Sequence, residues 1–220
     1  VLHDLTGVDT QTTIATTGGS DWSDLGIRPG IADDGNAVTF FGNLTAAGAT
    51  NLGLSPGAGI FAFVESNGST TIERIAGVSG NGFLDPGEVF EDDNGNGTLD
   101  VNEDKGGFTS FITDAHAGVG TSRVTAPADP TRLIVSFVAT SQQSGQLGLN
   151  VSNVDVSADL AADGLVVLDP ALALEVGDSI PGLAGTVGSI ATIHSVNNNG
   201  EVAARVAMST GTEAIVLGAS

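Results

Sequence analysis

Twelve residues, DDNGNGTLDVNE from Asp92 to Glu103, carry the spacing of a calcium loop. Such a loop takes oxygen ligands from positions 1, 3, 5, 7, 9 and 12 and needs glycine at position 6 for its sharp turn. Asp92, Asn94, Asn96, the carbonyl of Thr98, Asp100 and Glu103 fill those positions, with Gly97 sixth and apolar Leu99 eighth. Just upstream, GVSGNGFLDPGE (Gly77 to Glu88) repeats the second half of the pattern. There Asn81, Phe83, Asp85 and Glu88 fall at positions 5, 7, 9 and 12. Gly77 and Ser79 stand where the first ligands belong, so this copy is either a partial site completed by a segment such as Asp92 or Asp93, or a plain turn.

Eight carboxylates lie between Asp85 and Asp104, and gathering them without a cation is strongly repulsive. The chain has no cysteine, so a bound ion would do what disulfides do elsewhere. The expected cofactor is Ca2+, held as a structural brace at an affinity of roughly 0.1 to 1 mM, as in extracellular modules.

Other residues that could do chemistry read as structural. GLSPG (Gly53 to Gly57) matches the hydrolase G-x-S-x-G elbow, but Pro56 follows the serine and has no N–H for an oxyanion. His3, His116 and His194 show no metal spacing, and Trp22 is the only Trp in a chain without Tyr, which gives a sugar cleft little aromatic platform. Trp22 is expected to plug the sheet where an N-terminal arm joins the body, while Phe40, Phe61, Phe63 and Phe137 read as core. N-x-S/T sequons at Asn43, Asn67 and Asn150 are expected at the surface and open to glycans; a fourth, at Asn96, is better explained by the calcium loop.

The elements that would position these residues are strands. Val, Ile, Thr and Ala at short spacing, broken by Gly, Asn and Asp, predict many short strands and tight turns. A degenerate repeat runs along the chain. One copy is IADDGNAVTFFGNL (Ile31 to Leu44), GIFAFVES (Gly59 to Ser66) and TTIERIAG (Thr70 to Gly77). A looser one is PADPTRLIVSFVAT (Pro127 to Thr140), DGLVVLDP (Asp163 to Pro170) and LALEVGDSIPG (Leu172 to Gly182), with SQQSGQLGLNVSNVDVSAD between its parts as a long loop or an extra hairpin. The last, VNNNGEVAARVAMS (Val196 to Ser209) and TEAIVLG (Thr212 to Gly218), stops one strand short.

The expected fold is therefore all-β: one domain over residues 1 to 220, built of antiparallel blade-like sheets arranged as a propeller or a sandwich. Gly77 to Gly107 forms a calcium-loop insertion between strands, and Val1 to Gly19 forms an N-terminal arm. TQTTIATTGG (Thr10 to Gly19) has the character of the missing strand. It can complete the last sheet in its own molecule or in a neighbour, and a head-to-tail contact that does not close gives a filament.

The turn, G-I-F-A and G-D-S-I-P-G segments resemble the repeats of secreted bacterial propeller-like proteins of mostly unknown function, over Gly26 to Ser220 apart from two long insertions. The DxNxNGxLDxxE spacing is similar to that of dockerin-like calcium loops, although strands replace the helices that flank an EF-hand. The resemblance implies an extracellular all-β scaffold and brings no catalytic residues.

A net charge of −20 with six basic residues disfavours nucleic acid and anionic membranes, and no apolar run reaches the roughly 20 residues of a membrane span. Opening at Val1 without a leader, the chain reads as a mature or trimmed product, extracellular or at a cell surface, and bacterial. Three functions stay open: a non-enzymatic calcium-braced subunit that self-assembles by strand exchange, a monomeric calcium-dependent adhesion or ligand-binding module, and a secreted hydrolase.

Overall fold

A computed structural model of the chain describes residues 14–26, 28–32, 37–66, 68–80, 84–86, 88–90, 95–99, 104–105, 107–112, 120–124, 131–156, 165–168, 170–197 and 201–219. The fold is all-β and antiparallel, with one short helix. The first sheet runs β1 (Trp22–Leu25), β3 (Ala37–Leu44), β4 (Gly57–Ser66) and β5 (Ser69–Gly77), with β2 (Gly30–Ile31) also on β3. Of these, β3, β4 and β5 are the strands expected of the first repeat, and β1 is an addition to it.

In the middle sheet β10 (Thr131–Ser141) and β11 (Leu147–Val156) form the centre. β8 (Phe108–Phe111) and β9 (Gly120–Val124) share the free side of β10, while β12 (Leu165–Val167) and β13 (Ala171–Glu175) share that of β11. The third sheet is β14 (Val187–Val196), β15 (Glu201–Met208) and β16 (Glu213–Ala219), and a two-stranded ribbon pairs β6 (Val89–Phe90) with β7 (Asp104–Lys105).

The sheets stack face to face in chain order, and β10 shows why. Its apolar run is buried on both faces, as a central strand requires. Leu133, Val135, Phe137 and Ala139 pack against Phe41, Ile60, Ala62 and Ile75 of the first sheet. Ile134 and Val138 turn the other way, towards Val187, Ile190, Val202 and Val206 of the third. Among the described residues no core cluster joins the first sheet to the third. No described helix is long and apolar enough to cross a membrane.

The outer face of the first sheet is closed by helix α1 (Ala46–Leu52), which the sequence patterns did not anticipate. Thr45 caps its start by accepting the Gly48 N–H at 3.0 Å, and Gly53 ends it in the left-handed region at φ 69°. Beneath it Trp22 meets Phe61 and Phe40 edge-on, at 4.8 and 5.3 Å between ring centroids. Ile14 and Ala15 join this cluster, so the root of the arm sits where Trp22 plugs the first sheet.

One segment left open takes shape and one expectation is corrected. Between PADPTRLIVSFVAT and DGLVVLDP the chain forms the extra hairpin rather than the long loop: LGLNVSNVDV is a full central strand paired with β10, and β12 and β13 both pair with it. Its polar residues masked the pattern, and they are buried because they are bonded. Ser152 Oγ donates to the Leu168 carbonyl at 2.9 Å, and Asn150 Nδ2 donates to the Gly148 carbonyl at 3.1 Å. For the same reason Asn150, 5% exposed, is no surface glycan site in the folded chain. Asn43 is half-buried within β3, and Asn67 lies outside the described residues.

Candidate functional site

An unpaired strand edge offers a row of N–H and C=O groups to any other chain, and proteins guard such edges with short strands, charges, bulges or proline. The middle sheet divides each of its edges between two strands of three to five residues. At the first sheet's far edge, β5 carries Glu73 and turns the charged Arg74 inward, 5% exposed. In the third sheet β14 is interrupted by register shifts at Val187/Ser189 and Ile190/His194.

β16 keeps only one of these guards, the charge of Glu213 at its start. Its seven residues, EAIVLGA, run continuously along β15, contain no proline, and carry no charge after Glu213. Glu213 itself is tied back across the ladder to Arg205, 2.5 Å away. Among the described residues β16 has a ladder partner on one side only. Its even positions, Ala214 and Val216, pack against the core, which leaves Ile215 and Leu217 showing 75% and 70% of their surface. Beside them Ile193 is also exposed, and a groove of about 650 Å3 runs between Ile193, His194, Arg205 and Ile215.

His194 fastens this sheet to the middle one: its Nε2 lies 3.0 Å from the Ser136 carbonyl and its Nδ1 lies 3.1 Å from that of Thr192. Burial lowers its pKa from the ordinary 6.5, while both carbonyl contacts pull it back up. His3 and His116 lie outside the described residues. GLSPG runs from helix α1 into β4, the reverse of the strand-to-helix order a nucleophile elbow needs.

The acidic insertion leaves the first sheet at the end of β5 and returns at β8. Val78 bridges Phe108 in parallel, the Ser79 N–H donates to the Phe108 carbonyl at 2.8 Å, and the β6–β7 ribbon closes the neck of the calcium-loop segment. Asp92, Asn94, Asp100, Glu103, Asn81 and Phe83 lie outside the described residues. Of that loop, Asn96 and Thr98 are placed: Asn96 Oδ1 accepts the Thr98 N–H at 2.7 Å, in an exposed turn with Gly95 and Gly97 both at φ 73°. Gly97, at the sixth position of the pattern, is left-handed, as the sharp turn of a calcium loop needs there.

The upstream copy differs from a simple loop. Asp85 is buried with its Oδ2 3.2 Å from Arg74 Nη1, in an ion pair whose side chains are 3% and 4% exposed. The Asp85 N–H donates to Glu88 Oε2 at 2.8 Å, and the Glu88 N–H donates to the Asp85 carbonyl at 3.0 Å. Asp104, fully buried and absent from the sequence pattern, accepts the Gly80 N–H at 2.6 Å. Burial raises the Glu88 pKa, and the charges of Asp85 and Asp104 push it the same way.

Gly77, a vacant first position in the sequence register, has a physical reason. A Cβ there would overlap the Asp85 carboxylate, so the space of the missing side chain is the seat of Asp85. Among the described residues, no group of three or more His, Asp or Glu is placed to share one metal ion. Comparison with protein-family models, with curated proteins and with solved structures returns no match.

Proposed function

We propose that this chain is an extracellular, non-enzymatic structural subunit, braced by calcium, which polymerises when the N-terminal arm of one copy adds a strand to β16 of the next. The observation that carries this reading is the open β16 edge of a sheet whose three-strand path is one strand shorter than the four-strand path of the first. Antiparallel addition there would give the third sheet the four-strand path of the first and pair the open row of backbone groups. The donor has the reach. Residues 1 to 13, fully extended, span about 45 Å. Ile14 and Ala15 anchor them to the first sheet, at the other end of the stack, which suits a head-to-tail contact.

Calcium enters through the Asp92 to Glu103 loop, with Asp92, Asn94, Asn96, the Thr98 carbonyl, Asp100 and Glu103 as its oxygen set. The ion supplies positive charge to a crowded carboxylate loop, and the β6–β7 ribbon brings the two ends of that loop together.

Sedimentation of the intact chain in millimolar calcium, beside a chain lacking Val1 to Gly19, tests the proposal. Large assemblies from the intact chain alone support it, and monomers from both refute strand exchange. The groove beside His194 favours a second reading, a monomeric ligand-binding module. That reading requires a monomer whose ligand affinity falls on chelation.

A further inference from the structure

Arg74 gathers an unusual set of oxygens. Its Nη2 donates to the carbonyls of Ser55 and Gly57, the latter at 3.2 Å, and its Nη1 donates to the Ala58 carbonyl at 3.3 Å and to Asp85 Oδ2 at 3.2 Å. Three backbone carbonyls and a carboxylate around one positive centre are the kind of oxygen set a hard cation takes. Here a guanidinium fills it, with the ring of Phe61, its cross-strand partner, 4.9 Å from its central carbon.

The cluster joins three separate pieces of chain. The carbonyls belong to Ser55 in the turn after α1 and to Gly57 and Ala58 at the start of β4, Arg74 belongs to β5, and Asp85 to the insertion. Gly77 keeps the approach open. A guanidinium cannot be chelated away or lost by dilution, and it keeps its charge at any physiological pH.

We infer that Arg74 is the resident cation of the insertion's root, holding Asp85, and Glu88 through it, on the first sheet whether or not the Asp92 to Glu103 loop carries calcium. The insertion then has two fasteners of different kinds: a built-in one at its root and an exchangeable one at its tip. Calcium depletion would loosen the tip and leave the root docked. This contrast rests on the proposed calcium reading of the tip; the role of Arg74 does not.

Hydrogen–deuterium exchange of the intact chain, followed in excess calcium and in EDTA, tests the inference. In the wild type, the Asp85 and Glu88 amides should keep their protection in both solutions while those of residues 95–99 lose theirs in EDTA. With Arg74→Met in EDTA, the Asp85 and Glu88 amides should exchange about a hundredfold faster, because a buried carboxylate has lost its partner. Loss of root protection in wild-type chain on chelation, or root protection untouched by Arg74→Met, overturns the inference.

If residues 95–99 ignore calcium, the calcium reading fails, and the comparison of Arg74→Met with wild type still decides the role of Arg74. Should Arg74→Met not fold, Asp85→Asn takes its place, keeping the shape and removing the charge. Loosening of the root alone then supports the inference, and unchanged protection refutes it.

Discussion

Replacing both Ile215 and Leu217 with lysine would place two charges on the β16 edge without touching the core. Fully burying an Ile or Leu side chain is worth about 1.5 to 3 kcal/mol. These two show 75% and 70% of their surface, and an added strand would cover about half of that. The apolar loss is then about 1 to 2 kcal/mol for the pair. Lysine also resists pairing at an edge, which takes the total to about 2 kcal/mol or more. At 1.4 kcal/mol per tenfold, the critical concentration for assembly should rise at least about thirtyfold.

The monomer should hardly notice, since exposed positions usually change stability by less than about 0.5 kcal/mol. Sedimentation velocity across a concentration series in millimolar calcium reads the first effect, and urea unfolding of the monomer reads the second. Assembly at the wild-type concentration would refute the β16 acceptor. A marked loss of monomer stability would show instead that these side chains support the fold.

Other perturbations reach the body of the molecule. Phe137→Ala empties a site 1% exposed and packed edge-on against Phe108 at 5.4 Å, so urea unfolding should show a loss of about 3 to 5 kcal/mol. Gly77→Ala drives a methyl group into the Asp85 carboxylate and strands Arg74 in a buried place; a loss of about 3 to 5 kcal/mol is expected by the same assay, and a neutral result would contradict the close approach. For His194 the folded pKa lies below the unfolded 6.5, so the folded state favours the neutral ring. Its contribution is intact above pH 6.5 and is lost as pH falls from there through the folded value. The stability gap between wild type and His194→Gln should therefore be flat above pH 6.5 and move against wild type below it.

The sequence made β3 and β4 legible because AVTFFGNL and GIFAFVES are apolar enough to stand out between turns. It hid β11 because Asn150, Ser152 and Asn153 interrupt the apolar pattern; only the bond of Asn150 within its own strand and the tertiary bond of Ser152 show how such a strand is buried. Helix α1 escaped because AAGATNL is short and its signals are local: a capping threonine and a closing glycine. At the insertion, spacing picked out Asp85 and Glu88 as ligand types but could not reveal that Arg74, eleven residues before Asp85, claims one of them. Nor could spacing single out Asp104, which serves the upstream turn from 24 residues away. The weakly guarded character of EAIVLGA was readable as composition, while its place at the end of a sheet was not.

The face-to-face stacking of the three sheets bears on how a polymer of this chain would respond to tension. Pulling would enter where Ile14 grips the first sheet and leave through β16 of the third. Between those points stand two apolar seams, one on each face of β10. Ladder hydrogen bonds hold each sheet together, while each seam is crossed by only local ties: the Val78–Phe108 bridge with the Ser79 N–H on one side of β10, and His194 to the Ser136 carbonyl on the other. Stretching would therefore part sheet from sheet before unzipping strands, and the connecting loops would pay out as slack. Such a fibre would yield in steps and recover by restacking sheets that had stayed folded.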